Sequence, residues 1–183
     1  MTIMSEITRT NRHTVYENRW MKVHEDAVTF ADKSEGIFGI VDKEDFVLIV
    51  PRHADGRFQL VQQYRYPVAG RFWEFPQGSW ETQPGSDPKK VALGELEEET
   101  GYRASELHQL GHLYGAYGFS NQGFYVFLAD QLTPGNVQRD HEEQGMKTAA
   151  FTHSEIVEMI VRGEIKDAPT IAALNLLGNP QKR

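Results

Sequence analysis

Apolar and polar positions alternate along the first part of the chain, and a helical spacing first sets in near residue 88. Residues 14–32, "TVYENRWMKVHEDAVTFAD", alternate loosely and are rich in β-branched and aromatic side chains, which predicts two short strands. "GIFGIV" and "DFVLIVPRH" predict two more, and "ADGR" supplies a hairpin turn before the strand "FQLVQQYRYP". "RFWEFPQGSW" reads as a further short strand that ends at Pro76, followed by the loop "ETQPGSDPKK". Asp87 then caps a helix whose first residue is Pro88, the favoured first position. That helix runs through Thr100 and stops at Gly101. "ELHQLGHLYG" and "GFYVFLADQL" predict strands, residues 131–147 a polar loop, and "KTAAFT" another strand. "HSEIVEMIVRG" predicts a helix capped by Ser154, and "DAPTIAALNLL" a last helix with Pro169 in its first turn. The order strands, helix, strands, helix, helix predicts an α+β sandwich rather than βαβ winding.

With 183 residues the chain has room for one domain with a substantial core and a short N-terminal extension. The formal net charge of −7 lacks the basic field that non-specific nucleic-acid binding needs, so no nucleic-acid partner is expected. An acidic protein that handles phosphates must bring cations to them, as local arginines or bound metal. The absence of cysteine excludes disulfides, thiolate chemistry and cysteine-zinc sites. The seven histidines are scattered without metal-ligand spacing. No apolar run approaches spanning length, and the opening "MTIMSEITRTNRHTVYENRW" has no apolar signal core, so no membrane role and a cytoplasmic location are expected.

One stretch departs from ordinary charge patterning. "GELEEETGY", residues 94–102, sets four glutamates within two helical turns, although like charges three and four apart repel. On a wheel of ~100° per residue, Glu95, Glu98 and Glu99 share an arc of roughly 100° beside the apolar stripe of Ala92 and Leu96. Glu97 points elsewhere. Carboxylates beside a buried stripe are partly desolvated, a cost that a hard divalent cation offsets. The pattern alone leaves two readings open, a solvated acidic face and a metal site.

The neighbouring segments resemble a known family. "GELEEETGY" is similar to the second half of the Nudix box, R-E-apolar-x-E-E-x-G-apolar. "QYRYPVAGRFWEFPQG" resembles the entrance strands of the ADP-ribose pyrophosphatase branch of the Nudix hydrolases, and "GEIKDAPTIAALNLL" resembles that branch's C-terminal helix. The resemblance spans residues 14–177. Two positions depart from the family pattern: Gly94 stands where the box has arginine, and Ser86 where it has its first glutamate.

The resemblance implies a Nudix-fold α/β/α sandwich with a mixed β-sheet, residues 41–183, behind a β-rich extension, residues 1–40. It implies Mg²⁺ as cofactor, with Mn²⁺ as the alternative, held by Glu95, Glu99, Glu98 and the backbone carbonyl of Gln77. The general base is expected on the loop "QRDHEEQGMK", as Glu143 first and Glu142 second, with Glu98 next; a gapless match sets Gln144 at the family's glutamate. Arg65 matches a phosphate-contacting arginine, set against a plain surface arginine at a strand end. Glu74 is either a supporting acid or a structural ion-pair partner, and Ser120 in "GFSNQGF" lies near the substrate in the family. Trp20, with Tyr16 and Phe38, matches N-terminal aromatics that stack on a nucleobase across a dimer, set against a core role. The implied activity is hydrolysis of nucleoside diphosphate sugars, with ADP-ribose favoured and cleaved to AMP and ribose 5-phosphate by a homodimer. The alternative is a catalytically degenerate module that binds a nucleotide sugar without turnover, which Gly94, Ser86 and Gln144 favour.

Overall fold

The computed structural model describes residues 6–79, 85–137 and 145–178. They fall into two compact units, one of Met1–Asp45 with Tyr114–Gly123, the other of Phe46–Leu113 with Phe124–Arg183.

The first unit is built on an antiparallel sheet of β1 (Ile7–Glu17), β2 (Lys22–Phe30) and β3 (Glu35–Asp42), in that order. β2 and β3 pair without interruption from Lys22↔Asp42 to Thr29↔Glu35. β1 begins seven residues before the predicted alternation. Every residue of β1 is exposed, so no face of it requires apolar side chains and its first half, "ITRTNRH", carries no strand pattern to read. β2 buries His24 and Asp26 alongside Val28. Arg12 donates to both oxygens of Asp26, each at 2.7 Å, and this hydrogen-bonded cation holds the Asp26 carboxyl below the usual carboxylate range. A lowered folded-state pKa means that the pair stabilises the sheet above the ordinary carboxylate pKa, and that this contribution is lost as pH falls through the lowered value. His24 Nδ1 lies 3.0 Å from Thr14 Oγ1 and its Nε2 3.3 Å from Asp42 Oδ2, so buried polar atoms of β2 are matched from both neighbouring strands.

The second unit holds two sheets. One has the order β10 (Lys147–Phe151), β5 (Phe58–Arg65), β6 (Gly70–Glu74). The other runs β7 (Gln77–Gly78), β4 (Phe46–Pro51), β9 (Gly123–Pro134), β8 (Tyr102–Tyr114). It is mixed, because β4 pairs parallel with β9 and antiparallel with β7. Residues 47–50 of β4 are nearly inaccessible on both faces, the mark of a central strand and the reason that "VLIV" is continuously apolar. Val47 and Ile49 pack with Val91, Ala92 and Leu96 of α1 (Pro88–Thr100). Leu48 and Val50 pack on the other side with Ile156 and Met159 of α2 (His153–Val161) and Ala173 and Leu174 of α3 (Ala168–Leu176). Helices on both faces of a mixed sheet, with a separate N-terminal sheet, are the α+β architecture expected.

The ends of α1 follow local chemistry. The Asp87 side chain accepts from Lys89 N, Pro88 opens the helix, and Gly101 closes it at φ 75° with its N–H on Glu97 O. Two expectations are corrected. α2 is capped by Thr152 rather than Ser154, because Thr152 and Glu155 satisfy each other's backbone N–H groups reciprocally. The single strand expected over "RFWEFPQGSW" is two strands in different sheets, with Glu74 paired to Val61 and Gln77 to Leu48. Pro76 between them cannot donate to a ladder, and its carbonyl accepts from Ile49 N at 2.9 Å.

Candidate active site

Glu95 and Glu99 lie one turn apart on α1 and are only 7% and 1% exposed. Glu98 is half-buried. Glu97 turns away: it accepts from Arg103 Nε at 2.8 Å and from Asn136 N at 3.1 Å, anchoring the chain where it leaves β9. Glu95 and Glu99 thus separate from Glu97 as the wheel predicts, and are more deeply buried than "beside the stripe" implies, while Glu98 shares the intermediate burial of Glu97. The Glu95 carboxylate rests on the backbone of β7, where a Cβ added at Gly78 would collide with it. The carboxylate fills the space that a side chain at 78 would take, so any larger residue there would displace it from the β7 backbone. Buried carboxylates packed against a glycine backbone are a hard-oxygen donor set, and these residues fit a hard divalent cation better than a soft one.

A second cluster forms at the ends of β5 and β6. Glu74 is 2% exposed. Its carboxylate accepts from Gln63 Nε2 at 2.7 Å and from Arg65 Nε at 3.1 Å, while Arg65 Nη2 closes the fork. Burial pushes the Glu74 carboxyl above its ordinary pKa, further than Arg65 pulls it back. Burial also works against the Arg65 charge, but Glu74, then Asp167 and Glu99, outweigh it and raise its pKa. Arg65 is therefore tied electrostatically to its ion-pair partner, to Asp167 and to Glu99 of α1. The ion-pair reading of Glu74 and the functional reading of Arg65 meet in one arrangement, an oriented guanidinium whose side chain is 40% exposed.

Sequence reasoning missed three contributors here. Gln63 holds Glu74, and Asp167 and Thr170 at the start of α3 reach the Phe75–Gly78 segment. Asp167 gave no sign of this role in the sequence, since its partner Gln77 lies 90 residues away.

The other expected residues are dispersed. Ser120 belongs to the first unit, where its hydroxyl donates to Val41 O at 2.9 Å and accepts from Gln122 N at 3.2 Å. Trp20 is also in that unit, 42% exposed and capped by the Arg19 guanidinium 4.0 Å above its ring. Tyr16 and Phe38 are exposed as well, so the core alternative does not hold for these aromatics. Glu142, Glu143 and Gln144 lie outside the described residues. The segment that carries them rejoins the described chain at Gly145, whose carbonyl accepts from Arg71 Nη1 at 3.1 Å. His108, read as lacking ligand spacing, meets Glu106 and Asp130 with ligand atoms within 4.8 Å of one another. Arg52 already donates to both Asp130 oxygens, each at 2.8 Å.

Residues 42–174 match the NUDIX domain, and residues 7–41 match the nucleoside diphosphate sugar hydrolase N-terminal domain. The chain is 31% identical over 139 residues to an ADP-ribose pyrophosphatase of Bacillus subtilis, covering 75% of this chain and 74% of that one. It is 34% identical over 136 residues to an ADP-ribose pyrophosphatase of Mycobacterium tuberculosis, covering 74% of this chain and 65% of that one. The crystal structure of an ADP compounds hydrolase superposes with a TM-score of 0.83 at 20% identity, covering 97% of this chain and 95% of that one. The chain belongs to the Nudix family, as a pyrophosphatase of its nucleoside diphosphate sugar hydrolase group.

Proposed function

We propose that the protein hydrolyses the pyrophosphate bond of ADP-ribose, giving AMP and ribose 5-phosphate, with Mg²⁺ or in its place Mn²⁺ as cofactor. The observation that carries the reading is the pair of buried acids, Glu95 and Glu99, beside the stripe of α1 that packs into the core. The ADP-ribose pyrophosphatases among the relatives and the metal dependence typical of the family support the substrate and the cofactor.

Glu95, Glu99 and Glu98, with the Gln77 carbonyl, hold the metal in this reading. When bound, the ion neutralises charge on the pyrophosphate and lowers the pKa of water. Arg65, held by Glu74 through Nε and Nη2, presents its remaining N–H groups and its charge to a phosphate oxygen. Glu143, or Glu142 beside it, accepts the proton of the attacking water. The water oxygen bonds to one phosphorus as the bridging P–O bond breaks, the bridging oxygen leaves with the other phosphate, and AMP and ribose 5-phosphate part. Bound Mg²⁺ relieves the repulsion among the three α1 acids, so millimolar Mg²⁺ raises the melting temperature. No shift on addition of the metal would count against a metal site on α1.

Substrate identity is tested by a panel. ADP-ribose is expected to show the highest kcat/KM among ADP-ribose, GDP-mannose and other nucleoside diphosphate sugars, and a clear preference for another member would overturn that choice. The exposed β1 and the exposed Val15, Tyr16, Trp20, Ile37 and Phe38 support a homodimer with exchanged N-terminal strands, in which Trp20 stacks on the base and Ser120 lies by the substrate. Removing residues 1–40 is then expected to give monomer or aggregate with weakened nucleotide affinity. A truncated chain that stays dimeric and active would end the strand-exchange reading.

A further inference from the structure

The chain between β6 and β7 crosses from one sheet of the second unit to the other, and it does so next to both acid clusters. Glu74 precedes the crossing, while Gln77 and Gly78 follow it. Phe75 lies beyond the last paired residue of β6, so its buried N–H needs a partner outside the ladder. It finds Thr170 Oγ1 at 3.0 Å, and Thr170 is wholly buried. The same hydroxyl donates its proton to Asp167 Oδ2 at 2.7 Å, and Thr170 N donates to that oxygen at 2.9 Å. Gln77 Nε2 donates to it as well, at 3.3 Å. One carboxylate oxygen at the start of α3 therefore gathers the helix cap, the Phe75 peptide through Thr170, and the Gln77 side chain.

We propose that Asp167 and Thr170 are positioning residues for the metal site: they fix the Phe75–Gly78 segment against α1, and with it the Gln77 carbonyl and the rest of the Glu95 carboxylate on Gly78. This inference rests on the reading of Glu95 and the Gln77 carbonyl as metal ligands. A helix cap alone would need only the Thr170 N–H bond. The contacts to Phe75 N and Gln77 Nε2 are additional, and both act on the segment that must keep its place beneath Glu95. The Glu95 carboxylate occupies the space beside Gly78 that a Cβ would take, so the segment and the acid are immediate neighbours. A small displacement of the segment moves a carbonyl and a carboxylate out of register together. Groups that orient the ligands of a metal characteristically tune its affinity in this way.

The test measures Mn²⁺ affinity on the full chain without substrate, by electron paramagnetic resonance of the free ion. It is accompanied by thermal melting and by kcat and KM for ADP-ribose. Thr170→Val keeps shape and removes the hydroxyl, and is expected to weaken Mn²⁺ binding by roughly 10–100-fold. Thr170→Ser restores the hydroxyl and is expected to return the affinity to the wild-type value. Gln77→Met leaves the backbone carbonyl and the α3 cap in place, severs only the contact with Asp167, and shifts Mn²⁺ affinity in the same direction. Should Thr170→Val fail to fold, the Gln77→Met variant decides. Variants that melt earlier yet bind Mn²⁺ as the wild type does would reduce Asp167 and Thr170 to fold stability and overturn the proposal. A wild-type chain that takes up no Mn²⁺ would instead overturn the metal reading of α1.

Discussion

Glu99→Gln is expected to remove most turnover while leaving the fold intact. The side chain is 1% exposed on the face of α1 that also buries Glu95, and the amide matches its shape. The substitution therefore opens no cavity, and in the metal-free protein it relieves a like-charge repulsion. What it removes is a buried negative charge, which the account uses to hold the metal. The loss is expected to exceed the roughly 10–100-fold that removal of a merely supporting group costs a metal site. Equal turnover at saturating Mg²⁺ with unchanged melting temperature would show that the helix face is acidic for some other reason.

The second large effect separates the base from the metal ligands. A general base matters only when the water is deprotonated, so Glu143→Gln is expected to lower kcat by about 10²–10⁴-fold, the range typical of such groups. Its Mg²⁺ requirement and substrate affinity should stay near those of the wild type. Glu95→Gln should behave oppositely, raising the Mg²⁺ concentration needed for half activity, because the carboxylate seated on Gly78 is lost from the donor set. Steady-state kinetics across a Mg²⁺ series distinguishes the two patterns. With Glu142 next door, the double variant should be no worse than the dominant single if one residue is the base. Near-normal kcat in both single variants would remove the base from this segment and pass the role to Glu98.

How much could be read from the chain depended on how local each determinant is. Asp87, Pro88 and Gly101 bound α1 through contacts within a few residues, so the helix and its ends were legible. The continuous apolar run of β4 was legible for the same reason, since burial on both faces writes itself into every position. β1 was only half seen, because a strand exposed at every residue needs no alternation. Pro76 was visible as a stop, but a change of sheet at that stop is set by β4 and β5, far away in sequence. Within the site, the division of Glu95 and Glu99 from Glu97 followed from helical geometry. The partners that make the site specific did not: Glu74 meets Gln63 and Arg65 across a strand pair, and Gln77 meets Asp167 from a helix cap. Such pairs have no period and leave no local signature. Ser86 and Gly94 depart from the box, yet the buried acids, their glycine seat and the nearby guanidinium remain assembled around α1.

The most direct measurement of the central claim is the fate of ADP-ribose incubated with the full chain, its products separated and quantified while Mg²⁺ is supplied, chelated and supplied again. Equal amounts of AMP and ribose 5-phosphate are expected with Mg²⁺, none after chelation, and recovery when the metal returns. ADP-ribose that is bound but left whole at every metal concentration would contradict that claim and identify a nucleotide-sugar-binding module.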